Sequence, residues 1–174
     1  MAVHDRNLTE QAVILALAYR AGLASRDGES FAVEPASLQS DRYRGFDLII
    51  RRNTRWLLVD ITSSRRFRGS KINRSAKFGK GGRAWVYVLK ADWQSAAFDV
   101  TLDSCFQGAF GQLKDGQPIA LAKACPIHGN SCGLARKLWD FSESLSRSME
   151  NCPNPRVRET LKPFLMKTDR PPFK

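Results

Sequence analysis

Acidic residues are scarce in this chain. Twenty-eight Lys and Arg stand against 17 Asp and Glu, giving a formal net charge of +11. No acidic residue occurs between Asp60 and Asp92. A balance this basic points to a polyanionic partner, nucleic acid before an anionic membrane surface. Long apolar runs are missing too. The longest, Ala12 to Tyr19, stops at Arg20, well short of the roughly 18 residues that a membrane span needs. Asp5 and Glu10 precede that run, which is wrong for a secretory leader. The expectation is an intracellular protein, cytoplasmic or nucleoid-associated, not secreted and without membrane contact. Cysteine is sparse. Four in 174 residues make no disulfide framework and fit a reducing compartment. There is no internal repeat and no low-complexity tract. The chain is 43% hydrophobic and 26% charged, an ordinary globular balance, and its length suits one domain burying roughly 70% of its unfolded surface.

Periodicity predicts a first helix from Leu8 to Ala21, with Ala12, Val13, Leu15, Ala16 and Tyr19 on a broad apolar face. Asn7 and Glu10 have the spacing of a capping box, and Gly22 suits the position just past the helix end. Ser30 to Glu34 reads as a short strand ended by Pro35. Phe46 to Arg51 and Trp56 to Thr62 are strands rich in β-formers, joined by the turn residues 52–55 into a hairpin. A basic stretch follows, within which Lys71 to Lys80 reads as a helix ended by Gly81-Gly82. Ala84 to Lys90 is a further strand, and Ala96 to Leu102 a candidate one. Asp103 to Leu113 has a loose helical pattern. Gly133 to Met149 is amphipathic, with Leu134, Leu138, Phe141 and Leu145 on one face. A last helix from Pro155 to Met166 would be kinked or shortened by Pro163. The order α-β-β-β-α-β, followed by a helical C-terminal third, implies an α/β or α+β protein with a central mixed sheet.

Two carboxylates interrupt apolar strands. Asp47 lies at the start of one and Asp60 near the end of the next. Alternation puts Asp60 and Thr62 on one face. If Asp47 points the same way, two carboxylates converge, and their repulsion favours a hard divalent cation, Mg²⁺ or Mn²⁺. Such a cation beside a basic surface is suited to phosphodiester hydrolysis.

A helix with a Glu, a strand Asp, a hairpin, then an acidic residue, a spacer and a polar residue resembles the PD-(D/E)XK nuclease superfamily, which has the restriction-endonuclease-like fold. The matching segment is FDLIIRRNTRWLLVDIT, residues 46–62. The resemblance covers roughly residues 7–90 and implies an α-β-β-β-α-β core. Asp47 takes the motif's first Asp and Asp60 its second acidic position. Glu10 lies where many members carry an auxiliary metal-holding Glu, and the Ile61 carbonyl would complete the metal shell. Phe46 replaces the motif Pro, and Thr62 stands where the motif Lys belongs. A hydroxyl supplies no positive charge, so the resemblance shifts the Lys role to the following helix, to Lys77 first and Lys71 second. Arg65, Arg66, Arg68, Lys71, Arg74, Lys77, Lys80 and Arg83 would clamp phosphates. Resolvase-like members act as homodimers, though no residue here marks a dimer surface. Plainer roles stand beside these. Glu10 also fits as the capping partner of Asn7, Asp47 as a solvated edge residue, and Asp60 as the partner of a nearby Arg.

A second constellation is Cys125-Pro126-Ile127-His128-Gly129-Asn130-Ser131-Cys132. Its C-x2-H-x3-C spacing would suit Zn²⁺, with a fourth ligand from Cys105, Cys152 or His4. The usual spacing of one pair followed by a distant pair is absent, so buried cysteines and a surface His loop remain open. The chain then divides into a nuclease-like core at 1–102, a helical extension at 103–166 packed on it, with the candidate knuckle at 125–132, and a flexible basic tail at 167–174. The expected activity is metal-dependent hydrolysis of DNA rather than RNA. Its rivals are an inactive nucleic-acid-binding protein on the same fold and a basic interaction protein docking on an acidic partner.

Overall fold

The computed structural model describes residues 8–25, 30–37, 46–62, 86–90 and 104–173. The elements are helix α1 (Leu8–Ser25), strands β1 (Phe31–Pro35), β2 (Leu48–Arg52), β3 (Arg55–Thr62) and β4 (Val86–Lys90), and helices α2 (Ser104–Phe110), α3 (Gly133–Glu150) and α4 (Pro155–Leu161). The predicted helix at 71–80 and strand at 96–102 lie outside the described residues, as do Asn7 and the basic stretch 65–83.

The protein is mixed α/β. Its four strands lie in the order β1-β2-β3-β4. β1, β2 and β3 run antiparallel, and β4 pairs parallel to β3. The hairpin turns through Asn53-Thr54, with Arg52 opposite Arg55. Asn53 takes a positive φ of 53°, a conformation Asn tolerates better than most residues. Side chains alternate across the sheet. Val33, Leu48, Ile50, Leu57 and Val59 are fully buried and form one core with α1, while Ile49 and Leu58 on the other face are half-buried.

The predicted broad apolar face is exceeded in α1, in which every residue from Gln11 to Ala24 is buried, while Glu10 is half-buried. The helix packs against β1 on one side and α3 on another, and the backbone of Leu121 lies against it. The Leu121 amide donates to the Ala18 carbonyl at 3.0 Å. Gly22 therefore does not end the helix. A Cβ there would lie 1.7 Å from the Leu121 carbonyl oxygen, so the glycine is required for close backbone approach. Arg20 is also buried. Its Nε donates to the Met166 carbonyl at 2.6 Å, its Nη1 pairs with Glu143 of α3, and its guanidinium stacks 4.4 Å from the Trp139 ring centre.

In α3, Leu134, Leu138, Phe141 and Leu145 are buried together as the periodicity predicts. The α4 start is set by Asn154, whose side chain accepts from the Arg156 amide at 3.0 Å, followed by Pro155 in the first turn. Pro163 falls in a 3-10 turn, Lys162–Phe164, so the α-helix ends before it. In the segment after it, Phe173 packs against the core, and the Thr168 hydroxyl reaches the Leu23 carbonyl.

Candidate functional site

The register of β2 and β3 sets the first group. Leu48 faces Val59, so the next residues outward, Asp47 and Asp60, oppose each other. Asp47 lies just before β2, and its amide donates to the Val59 carbonyl at 2.8 Å. There the side chain takes over from the ladder, and the Ile61 amide donates to Asp47 Oδ2 at 2.7 Å. Both carboxyls are buried, at 6% and 8% exposure. Burial pushes the Asp47 carboxyl up from 3.8 to about 8. A hydrogen bond shared with Asp60 adds to the rise, as do the charges of Glu10 and Asp60, while the Ile61 amide opposes it. Glu10, in the first turn of α1, thus acts on the same carboxyl from a different element. The amide and carbonyl of one strand residue leave by the same edge. The Ile61 carbonyl therefore faces the Asp47 side rather than β4. Thr62 closes β3, but its side chain lies outside the described atoms. Arg65, Arg66, Arg68, Lys71, Arg74, Lys77, Lys80 and Arg83 lie outside the described residues.

The second group is Cys105, Cys125, His128 and Cys132, whose ligand atoms all lie within 4.8 Å of one another. These four side chains could hold a metal ion. Among the fourth-ligand candidates, Cys105, from the start of α2, is the one brought in. Cys152 is buried in the core beyond α3, and His4 lies outside the described residues. Cys125 and Gly129 exchange backbone hydrogen bonds of 3.1 and 2.9 Å, closing a tight turn, and Gly129 adopts a φ of 61°. Burial raises the Cys125 thiol. The amides of His128 and Ile127, with the His128 and Cys105 side chains, outweigh that and bring it from 9.0 down to about 7. His128 Nδ1 lies 3.4 Å from Cys105 Sγ and 3.8 Å from Cys125 Sγ.

Sequence reasoning missed Asn130. Its Oδ1 accepts from the Ala124 amide at 3.1 Å and from the Tyr19 hydroxyl at 3.0 Å, pinning the knuckle to α1. The signal was an Asn between two metal-type residues, which is also an ordinary turn residue. No helix among the described residues is long and apolar enough to cross a membrane. No family model, curated protein or solved structure matches the chain.

Proposed function

We propose that the protein is a metal-dependent nuclease with a restriction-endonuclease-like core, hydrolysing phosphodiester bonds in DNA. The observation that carries this reading is the opposed pair Asp47 and Asp60, buried and sharing a hydrogen bond, with the Glu10 charge acting on it. Paired buried carboxyls at a strand end are costly unless a positive charge or a proton joins them. The element order supports the same reading: a helix, three antiparallel strands, and a fourth strand parallel to the third.

The donors are hard oxygens, which fits Mg²⁺ or Mn²⁺. Asp47 and Asp60 would hold the cation, Glu10 would assist, and the Ile61 carbonyl would complete the shell. Bound there, the cation would polarise a phosphoryl oxygen and acidify the attacking water. Asp47 would release its proton to solvent on holding the cation. Lys77, or Lys71 in its place, supplies the positive charge that Thr62 lacks. The arginines from Arg65 to Arg83 neutralise phosphates and set the register of the strand.

Thr62 in the motif Lys position favours a second reading, a nucleic-acid-binding protein without cleavage. Duplex, single-stranded and branched DNA, each with Mg²⁺ or Mn²⁺, separate the two. The nuclease reading expects cleavage by the wild type and a loss of about 1,000-fold or more in Asp60→Asn, with binding kept. Replacing Arg65, Arg66 and Arg68 together by Ala should lower the slope of log affinity against log salt by about 3. Salt-dependent binding with no cleavage of any form supports the second reading. Absence of both removes the nucleic-acid assignment.

A further inference from the structure

We infer that Cys105, Cys125, His128 and Cys132 bind one zinc ion in a closed, structural site that staples the C-terminal half of the protein. This stands apart from the nuclease reading and uses none of its residues.

The geometry is close to that of a coordination shell. Tetrahedral zinc with Zn–S near 2.3 Å and Zn–N near 2.0–2.1 Å places sulfur and nitrogen ligands about 3.6 Å apart, and two sulfurs about 3.8 Å apart. His128 Nδ1 stands 3.4 and 3.8 Å from two of the sulfurs, and all four ligand atoms lie within 4.8 Å of one another. Three sulfurs and an imidazole are a soft set that selects zinc over Mg²⁺ or Ca²⁺. Four protein ligands leave no open position, so the site has a structural rather than a hydrolytic role.

The local backbone fits the same end. The turn from Cys125 to Gly129 aims the amides of Ile127 and His128 at the Cys125 sulfur, where they stabilise a metal-bound thiolate. Cys132 occupies the N-cap of α3 yet makes no side-chain cap bond. A Ser, Thr, Asp or Asn would serve a cap better. Its sulfur joins the cluster instead. The ligands come from three places: the start of α2, the turn at 125–129, and the entry to α3. Between α2 and α3, residues 111–132 carry isolated bridges but no helix or strand. An irregular connection of that length is unusual in a compact domain, and a metal clip accounts for its order. Asn130, between two of the ligands, transmits the clip to Tyr19 of α1.

The test uses the full chain and no DNA, so its outcome is independent of nuclease activity. Protein purified without added metal should contain one zinc per chain by mass spectrometry of metals. Chelated protein titrated with Co²⁺ should develop the visible bands of a tetrahedral ion, with a thiolate charge-transfer band, saturating at one equivalent and displaced by Zn²⁺. Cys132→Ser should lose that stoichiometric signal, His128→Cys should keep it with a stronger charge-transfer band, and Cys152→Ala should leave it unchanged. Chelation should lower the melting temperature of the wild type. Because the titration and chelation use the wild type, a variant that fails to fold does not block the test. A folded, metal-free wild type with no tetrahedral cobalt spectrum overturns the proposal. So does a disulfide among Cys105, Cys125 and Cys132, or stoichiometric iron in place of zinc.

Discussion

Replacing Asp47 with Asn tests the carboxyl pair without any substrate. Asp47 holds its proton up to about pH 8 in the folded state, against an ordinary 3.8. Between those values the folded protein binds one more proton than the unfolded chain, so stability falls as pH rises. One group sets a limiting slope of about 1.4 kcal/mol per pH unit. Over the whole window this reaches roughly 6 kcal/mol, an upper bound because the site relaxes on ionisation. Asn has the shape of the protonated acid. Its amide can donate to Asp60, and its carbonyl can accept from the Ile61 amide. Urea unfolding at a series of pH values, with both proteins at equal metal content, isolates the difference. The two should be equally stable near pH 4, and the variant should be more stable by several kcal/mol at pH 8. Saturating Mg²⁺ or Mn²⁺ at pH 8 should raise wild-type stability, by about 2.7 kcal/mol at a hundred times the dissociation constant, and leave the variant unmoved. Parallel pH profiles, or a variant destabilised at pH 8, would refute the shared-proton arrangement.

Two further substitutions probe the frame that holds the site. Gly22→Ala drives a methyl into the Leu121 carbonyl and should destabilise by about 3 kcal/mol, reversing the gain of about 1 kcal/mol that Ala brings to an open helix. Gly133→Ala, with open space around it at the start of α3, is the control in chemical denaturation and should hold stability or raise it by up to about 1 kcal/mol. Glu143→Gln removes the counter-charge of buried Arg20 and should cost about 3 kcal/mol by the same measurement, at the low end for a buried pair because Glu143 is partly exposed. An unchanged unfolding midpoint would mean that the Met166 carbonyl, the Ser142 hydroxyl and the Trp139 ring satisfy the guanidinium without the Glu143 charge.

Local pattern was enough for much of the fold. The hairpin was legible because β-branched and apolar residues run on both sides of a turn containing Asn53. The buried face of α3 was legible because Leu134, Leu138, Phe141 and Leu145 recur at helical spacing. The α4 start at Pro155 was legible, and Pro163 marked a break, though the helix ends at Leu161 rather than at Met166. The spacing of Cys125, His128 and Cys132 was visible too, since three residues within eight positions are neighbours in the chain.

The all-round burial of α1 was not legible, because apolar residues, small residues and an Arg on a helix do not say how many neighbours will pack on it. That depends on a sheet, on α3 and on residue 121, all distant in sequence. Gly22 carried the same ambiguity, since the residue that ends a helix is also the one that lets another backbone touch it. Cys105 was one of three candidates until α2 folded back on the knuckle. The sequence by itself determined which residues are chemically able to act: two carboxylates in neighbouring strands, a third on the first helix, and sulfur and imidazole groups near one turn. Tertiary structure decided which of them meet. The β2–β3 register sets Asp47 against Asp60 and buries both, and long-range packing brings a cysteine from another helix to the knuckle. Proximity between residues far apart along a chain is a property of the packed whole, and no local pattern encodes it.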